Sequence, residues 1–253
     1  MKQGDFIWYE LMTSDPVAAA DFYGKVVGWT MKGAGLPGID YTLACLGDRQ
    51  LAGIMTLPDD QRPPRPVWIG YIAVDDVDAK SKEVEAAGGS IHRTPEDIPG
   101  VGRFAMVSDP QGAVFCLFKD HGEPMESLPM MKTGSVGWHE LNTTDWQSAW
   151  DFYSAQFGWT KDVAYDMGAM GAYQLFKTSG DPVGGLMTDT STPHPYWLFY
   201  FVVDDIDDGL ERVKSNGGQI QNGPMEVPGG AWVAQCADPQ GGVFAIVGMR
   251  KSA

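Results

Sequence analysis

Two short stretches hold the side chains with the clearest capacity for chemistry. WYELMTSD (8–15) and WHELNTTD (138–145) each place a carboxylate, Glu10 or Glu140, two residues after an indole and five before an aspartate. Such a carboxylate can serve as a general base or as a hydrogen-bond acceptor for a ligand. It can equally be structural, tying down backbone or a basic partner where elements meet. His139 beside Glu140 invites a metal reading, but HELNT lacks the second histidine of a helical zinc motif. His92, His121 and His194 are read as lying in or beside loops, without forming a cluster.

The elements that position these groups follow from local pattern. Alternation along a strand sends Trp8, Glu10 and Met12 to one face and Tyr9 to the other. It likewise separates Trp138, Glu140 and Asn142 from His139. Asp15-Pro16 then supplies an N-cap and a first-turn proline for a helix that Gly28 ends. YTLACLG and QLAGIMTLP follow as strands. A second module begins with the strand WIGYIAV, continues with a helix capped at Asp75/Asp76 and stopped at Gly88-Gly89, and closes with strands around SIHRT, RFAMVSD and AVFCLF. DPQG (109–112) between the last two is a hairpin turn.

All of this occurs twice. DPVAAADFYGKVVGW (15–29) aligns with DWQSAWDFYSAQFGW (145–159), and SDPQGAVFCLF (108–118) with ADPQGGVFAIV (237–247). The repeat predicts an α+β fold of four βαβββ modules in two domains, 1–119 and 134–250. The segment 120–133, rich in Pro, Gly and Glu, joins them as a linker.

Composition excludes several classes. With 18 basic against 33 acidic residues and a net charge of −15, the chain lacks the clustered basic surface that nucleic acid requires. No run approaches the ~18 apolar residues of a membrane span. Three scattered cysteines suggest reduced thiols and a cytoplasmic protein.

The order of an FY-bearing helix ending in GW, then VDDVDA…GG, then DPQG and a strand, resembles the vicinal oxygen chelate superfamily, which includes glyoxalase I, extradiol dioxygenases and bleomycin-resistance proteins. The resemblance covers nearly the whole chain, twice. It implies sheets curled into cups, with metal ligands on the concave face in the metal-bearing members. Carried over residue by residue, those ligand positions fall at Trp8, Trp138, near Ile69 and Leu198, at Cys116 and Ala245, and within AGIM (52–55) and GGLM (184–187). Indole and alkyl groups do not ligate divalent metals, so the resemblance predicts cups with no metal and no cofactor.

The first functional reading is therefore a binding protein for a small apolar or cationic organic molecule. Its two cups would be lined by Trp8, Glu10, Met12, Met55, Trp68, Tyr71 and Cys116, and by Trp138, Glu140, Asn142, Met187, Trp197 and Tyr200. The same aromatic side chains could simply fill the space a metal site left, and Cys116 reads as a structural thiol rather than a nucleophile. A second reading is an enzyme of lyase, isomerase or dioxygenase type using Glu10 and Glu140 or a metal held elsewhere. A third is an interaction protein with no ligand. The expected partner is a small molecule, with neither nucleic acid nor membrane, in a monomer or homodimer.

Overall fold

The computed structural model describes residues 2–35, 38, 40–57, 65–122, 128–129, 131–191 and 194–251. The first module runs β1 (Phe6–Thr13), α1 (Pro16–Val27), β2 (Thr30–Gly33), β3 (Tyr41–Leu46) and β4 (Arg49–Thr56). The second runs β5 (Val67–Ala73), α2 (Val77–Ala86), β6 (Ser90–Ile98), β7 (Gly102–Ser108) and β8 (Val114–Asp120). The third comprises β9 (Val136–Thr143), α3 (Trp146–Phe157), β10 (Thr160–Asp166), β11 (Ala172–Lys177) and β12 (Gly184–Thr188). The fourth comprises β13 (Tyr196–Val202), α4 (Ile206–Ser215), β14 (Gln219–Glu226), β15 (Trp232–Ala237) and β16 (Val243–Gly248). Four βαβββ modules thus form an α+β fold, with strands ordered β2-β3-β4-β1-β5-β8-β7-β6 in one mixed sheet and β10-β11-β12-β9-β13-β16-β15-β14 in the other.

The helices begin where capping chemistry allows. Asp15 accepts from the Ala18 N–H at 3.0 Å, Pro16 follows, and Gly28 ends α1 with φ +89°. A left-handed residue there suits glycine, which has no Cβ to clash. Asp145 caps α3 through Gln147 and Ser148. Of the paired aspartates, Asp76 and Asp205 are the caps of α2 and α4, whereas Asp204 binds Arg212 at 2.9 Å. The DPQG turns form as expected, with Asp109 Oδ1 accepting from the N–H groups of Gln111, Gly112 and Ala113. His92 is not in a loop but within β6, against Ser108.

The chain divides into two compact units that do not follow the repeat. Unit 1 gathers Met1–Ile7, Ile69–Ser127 and Trp138–Trp197, and unit 2 gathers Trp8–Trp68, Leu128–Gly137 and Leu198–Ala253. Each unit therefore joins one module from each half of the sequence. In unit 1, α2 packs with α3; in unit 2, α1 packs with α4. The expected linker lies partly at residues 123–127 and 130, outside the described residues.

Each unit has its own aromatic core on the helix side of its strands. In unit 1, Tyr153 stacks on Trp159 at 5.2 Å and Trp159 on Phe176 at 4.4 Å, with Phe115 and Trp197 edge-on or tilted around them. In unit 2, Tyr23, Trp29, Trp68, Phe201 and Phe244 make the matching cluster. Burying each such ring contributes roughly 2–3 kcal/mol.

This placement corrects the reading of Trp68 and Trp197 as cup-lining. Trp68 Nε1 donates to the Tyr23 hydroxyl at 2.9 Å, and Trp197 Nε1 to the Tyr153 hydroxyl at 3.1 Å. Both indoles thus sit among the helices. Trp68 and Tyr71 are three residues apart on one strand, so strand alternation forces them to opposite faces.

Candidate functional site

The faces of the strands opposite the helices carry a three-residue chain that occurs once in each unit. In unit 2, β1 presents Trp8 and Glu10. From β3, Tyr41 stands in register with Met55 of β4, two residues beyond Gly53, which itself pairs with Glu10. The Tyr41 ring lies over Gly53, where a Cβ would stand 1.9 Å from the phenol oxygen. Only glycine leaves that path open. The Tyr41 hydroxyl accepts from Trp8 Nε1 at 3.2 Å and donates to Glu10 Oε2 at 2.8 Å.

Unit 1 repeats the arrangement from β9, β11 and β12. Trp138 Nε1 donates to the Tyr173 hydroxyl at 2.8 Å, and that hydroxyl donates to Glu140 Oε2 at 2.9 Å. Gly185 pairs with Glu140, and a Cβ there would stand 2.4 Å from the Tyr173 ring. Glu10 and Glu140 are each only 6% exposed. A buried carboxylate is costly unless donors meet it. The indole N–H has no lone pair to offer and the phenol has a single hydrogen, so both chains run in one direction, from indole through phenol to carboxylate.

The surroundings of the two carboxylates differ. Asn142 Nδ2 donates to Glu140 Oε1 at 3.2 Å. The matching residue beside Glu10 is Met12, which pairs with Met55 as Asn142 pairs with Met187. Tyr196 also stands near Glu140: burial first, then the charges of Glu140 and Asp189, push its phenol up to about 12.

Tyr71 and Cys116 pair in register on β5 and β8 in unit 1, with Phe104 and Phe118 around the Tyr71 ring. Cys116 is fully buried. Tyr200 pairs with Ala245 in unit 2. His139 points to the helix side, stacks on Phe6 at 4.2 Å and donates from Nδ1 to the Val183 carbonyl at 2.7 Å. Burial drives its pKa down to about 4, so it is a neutral packing residue.

Sequence reasoning missed Tyr41, Tyr173, Gly53, Gly185 and Tyr196. A signal was available, because tyrosine and glycine are twelve residues apart in both copies (53 − 41 and 185 − 173). The meaning of the glycines in AGIM and GGLM lies across the sheet, in the phenol each of them admits.

Comparisons with known proteins agree with this architecture. The family pattern described as Glyoxalase/Bleomycin resistance protein/Dioxygenase superfamily matches the chain twice, at residues 6–117 and 135–246. The anthracycline biosynthesis protein DnrV of Streptomyces peucetius is 34% identical over 263 aligned residues, covering 96% of this chain and 93% of its own. The putative glyoxylase CFP32 of Mycobacterium bovis is 33% identical over 252 residues, covering 97% and 95%. Among solved structures, the Mn(II)-bound glyoxalase of Novosphingobium aromaticivorans superposes with a TM-score of 0.67 at 17% identity, over 99% of this chain and 83% of the other. The 2,3-dioxygenase LapB of Pseudomonas sp. KL28 gives 0.67 at 12%, over 99% and 94%. At such identities the structures speak for the fold alone. Among the described residues no group of three or more His, Cys, Asp or Glu side chains converges as a metal would need.

Proposed function

Since the chain belongs to the glyoxalase/bleomycin resistance protein/dioxygenase superfamily, we propose that it binds a small apolar or cationic organic molecule without a metal. The binding faces are those of Trp8, Tyr41 and Glu10 in unit 2 and of Trp138, Tyr173 and Glu140 in unit 1. The observation that carries this reading is the indole–phenol–carboxylate chain, preserved in both copies with its own glycine to make room for it. Core packing alone asks for volume; it does not ask for a carboxylate on the face away from the helices, with phenol and indole held at fixed angles beside it. Aromatic walls with one oriented polar group are what a flat organic ligand requires.

The donor set supports the metal-free part. Trp8, Trp138, Ile69, Leu198 and Ala245 offer no ligand atom at the positions the fold family uses, and the single thiol of Cys116 does not hold a divalent ion. A flat aromatic ligand also suits the anthracycline biosynthesis named for relatives. The buried Cys45, Cys116 and Cys236, none in a disulfide, suit a reducing cytoplasm. Among the described residues no helix is long and apolar enough to cross a membrane, and the acidic chain suits neither nucleic acid nor membrane as a partner.

Tryptophan fluorescence, titrated with planar aromatic cations and neutral planar aromatics, tests the proposal. Saturable quenching is expected. In a Gly53→Ala/Gly185→Ala variant, where the new methyl groups displace both phenols, binding weakens at least about tenfold. Stoichiometric Mn, Zn, Ni or Fe retained through gel filtration, together with an unresponsive fluorescence signal, would overturn it.

A further inference from the structure

We infer that a one-residue bulge in β10 lengthens the binding face of unit 1, so that the Glu140 site takes a fused polycyclic planar ligand and the Glu10 site a smaller ring. The inference rests on the binding function proposed above and specifies its ligand by size.

Strand register carries the argument. β2 pairs with β3 without a slip, from Thr30 opposite Cys45 to Gly33 opposite Thr42. One step further, the Ala34 N–H donates to the Tyr41 carbonyl at 2.9 Å, which sets Ala34 against the site tyrosine. In unit 1 the pairing of β10 with β11 starts alike, with Thr160 opposite Lys177 and Lys161 opposite Phe176. The register then slips by one residue before Ala164. Unslipped, Ala164 would face Tyr173 as Ala34 faces Tyr41. The extra residue puts Tyr165 there instead. Residues paired across a sheet share a face, so Tyr165 stands on the side of Tyr173.

Side chains pin the bulge. Buried Gln174 donates from Nε2 to the carbonyl of Asp162 at 2.9 Å, and the Asp162 carboxylate pairs with Lys177 Nζ at 2.8 Å. The result is one row across four strands: Tyr165 pairs with Tyr173, Tyr173 with Met187, and Met187 with Asn142, which donates to Glu140. With strands about 4.8 Å apart, the row is roughly 14 Å long. The Tyr173 ring lies along the sheet over Gly185, so it offers a flat floor. Tyr165 and the residues that follow it, Met167 and Met170, are 37%, 42% and 55% exposed. That is apolar surface continuous with the site, which a bound ring system would cover. In unit 2 the matching row of Met12, Met55 and Tyr41 meets only the methyl group of Ala34. Its aromatic floor is shorter by one ring.

Benzamidine, 4-aminoquinoline and 9-aminoacridine carry a similar amidine-type cation on one, two and three rings. They are titrated calorimetrically into the full chain, where Gly53→Ala isolates the unit 1 site and Gly185→Ala the unit 2 site. Affinity is expected to rise at least about tenfold from two rings to three at the unit 1 site, and no more than about twofold at the unit 2 site. Tyr165→Ala removes that gain and Tyr165→Phe keeps it. Deleting Val163, which returns Ala164 to the place opposite Tyr173, acts like Tyr165→Ala. Ala34→Tyr brings the gain to the unit 2 site. Thermal melts establish that each variant is folded, and Tyr165→Ala, at an exposed position, decides the question if the deletion does not fold. Equal dependence on ring number at the two sites, or a gain that survives Tyr165→Ala, overturns the inference while leaving binding intact. A dimer in gel filtration that Tyr165→Ala dissolves, with the three-ring gain unmoved, assigns the exposed row to a second copy and likewise overturns it. Silence toward all three probes overturns the binding function itself.

Discussion

Units 1 and 2 share one plan, yet their buried polar groups are satisfied differently. In unit 1, Gln111 of the DPQG turn clamps the entry to α3: its Oε1 accepts from Thr143, Thr144 and the Asp145 N–H, and its Nε2 donates to the Asp145 carbonyl. In unit 2, the corresponding Gln240 has a buried Oε1 with no partner among the described residues. The tyrosine beneath each turn shows the opposite bias. Tyr23 accepts from Trp68 and donates to Asp238 Oδ2 at 3.0 Å. Its counterpart Tyr153 stands beside Asp109, whose buried Oδ2 makes no well-formed hydrogen bond among the described residues, so that the two groups interact more loosely than their equivalents in unit 2. A third contrast sets neutral, buried His139 against Tyr9, which meets Phe199. Duplication preserved the backbone plan, while side-chain satisfaction drifted separately in each unit.

The largest consequence of that drift is a pH dependence seated in unit 1. The His139 pKa falls from 6.5 to about 4 on folding, so the unfolded chain binds the proton more readily. The associated stability is fully present above pH 6.5 and is lost as pH falls toward 4. Urea melts at pH 7.5 and 4.5 should show that His139→Phe, which keeps the stack on Phe6, removes about 2–3 kcal/mol of the wild-type decline. Identical declines in both proteins would break the contrast with Tyr9.

The tyrosine pair comes next. Tyr23→Phe removes a made bond to Asp238 and strands both a carboxylate oxygen and an indole N–H, costing about 2 kcal/mol in denaturant melts. Tyr153→Phe strands the Trp197 N–H and costs about 1 kcal/mol. Equal costs would show that the Asp109 contact is as strong as its counterpart. The smallest effect concerns the turn glutamines. Gln111→Ala, losing bonds at a partly solvated helix entry, should cost about 1.5 kcal/mol, and Gln240→Ala no more than about 0.5 kcal/mol. A reversed order would mean that the repeat has kept the clamp in unit 2.

Much of the fold was legible because its determinants are local. Alternation along WYELMT, the Asp15 and Asp145 caps, and the DPQG turns each depend on residues a few positions apart. Aromatic character alone does not say which face Trp68 and Trp197 take; strand parity does, and it sends both indoles to the helix tyrosines Tyr23 and Tyr153. The phenols of Tyr41 and Tyr173 were invisible as site residues because their role depends on a glycine on the neighbouring strand. The interleaved units were hidden for another reason: a repeat reports common descent, and descent does not say which copies pack together.

That interleaving bears on how such a gene can change. Within unit 2, α1 of the first copy rests on α4 of the second, and within unit 1, α2 of the first rests on α3 of the second. Deleting either copy would strip each remaining helix of the helix it packs on here, so a single copy would have to recover that cover by pairing with a second chain.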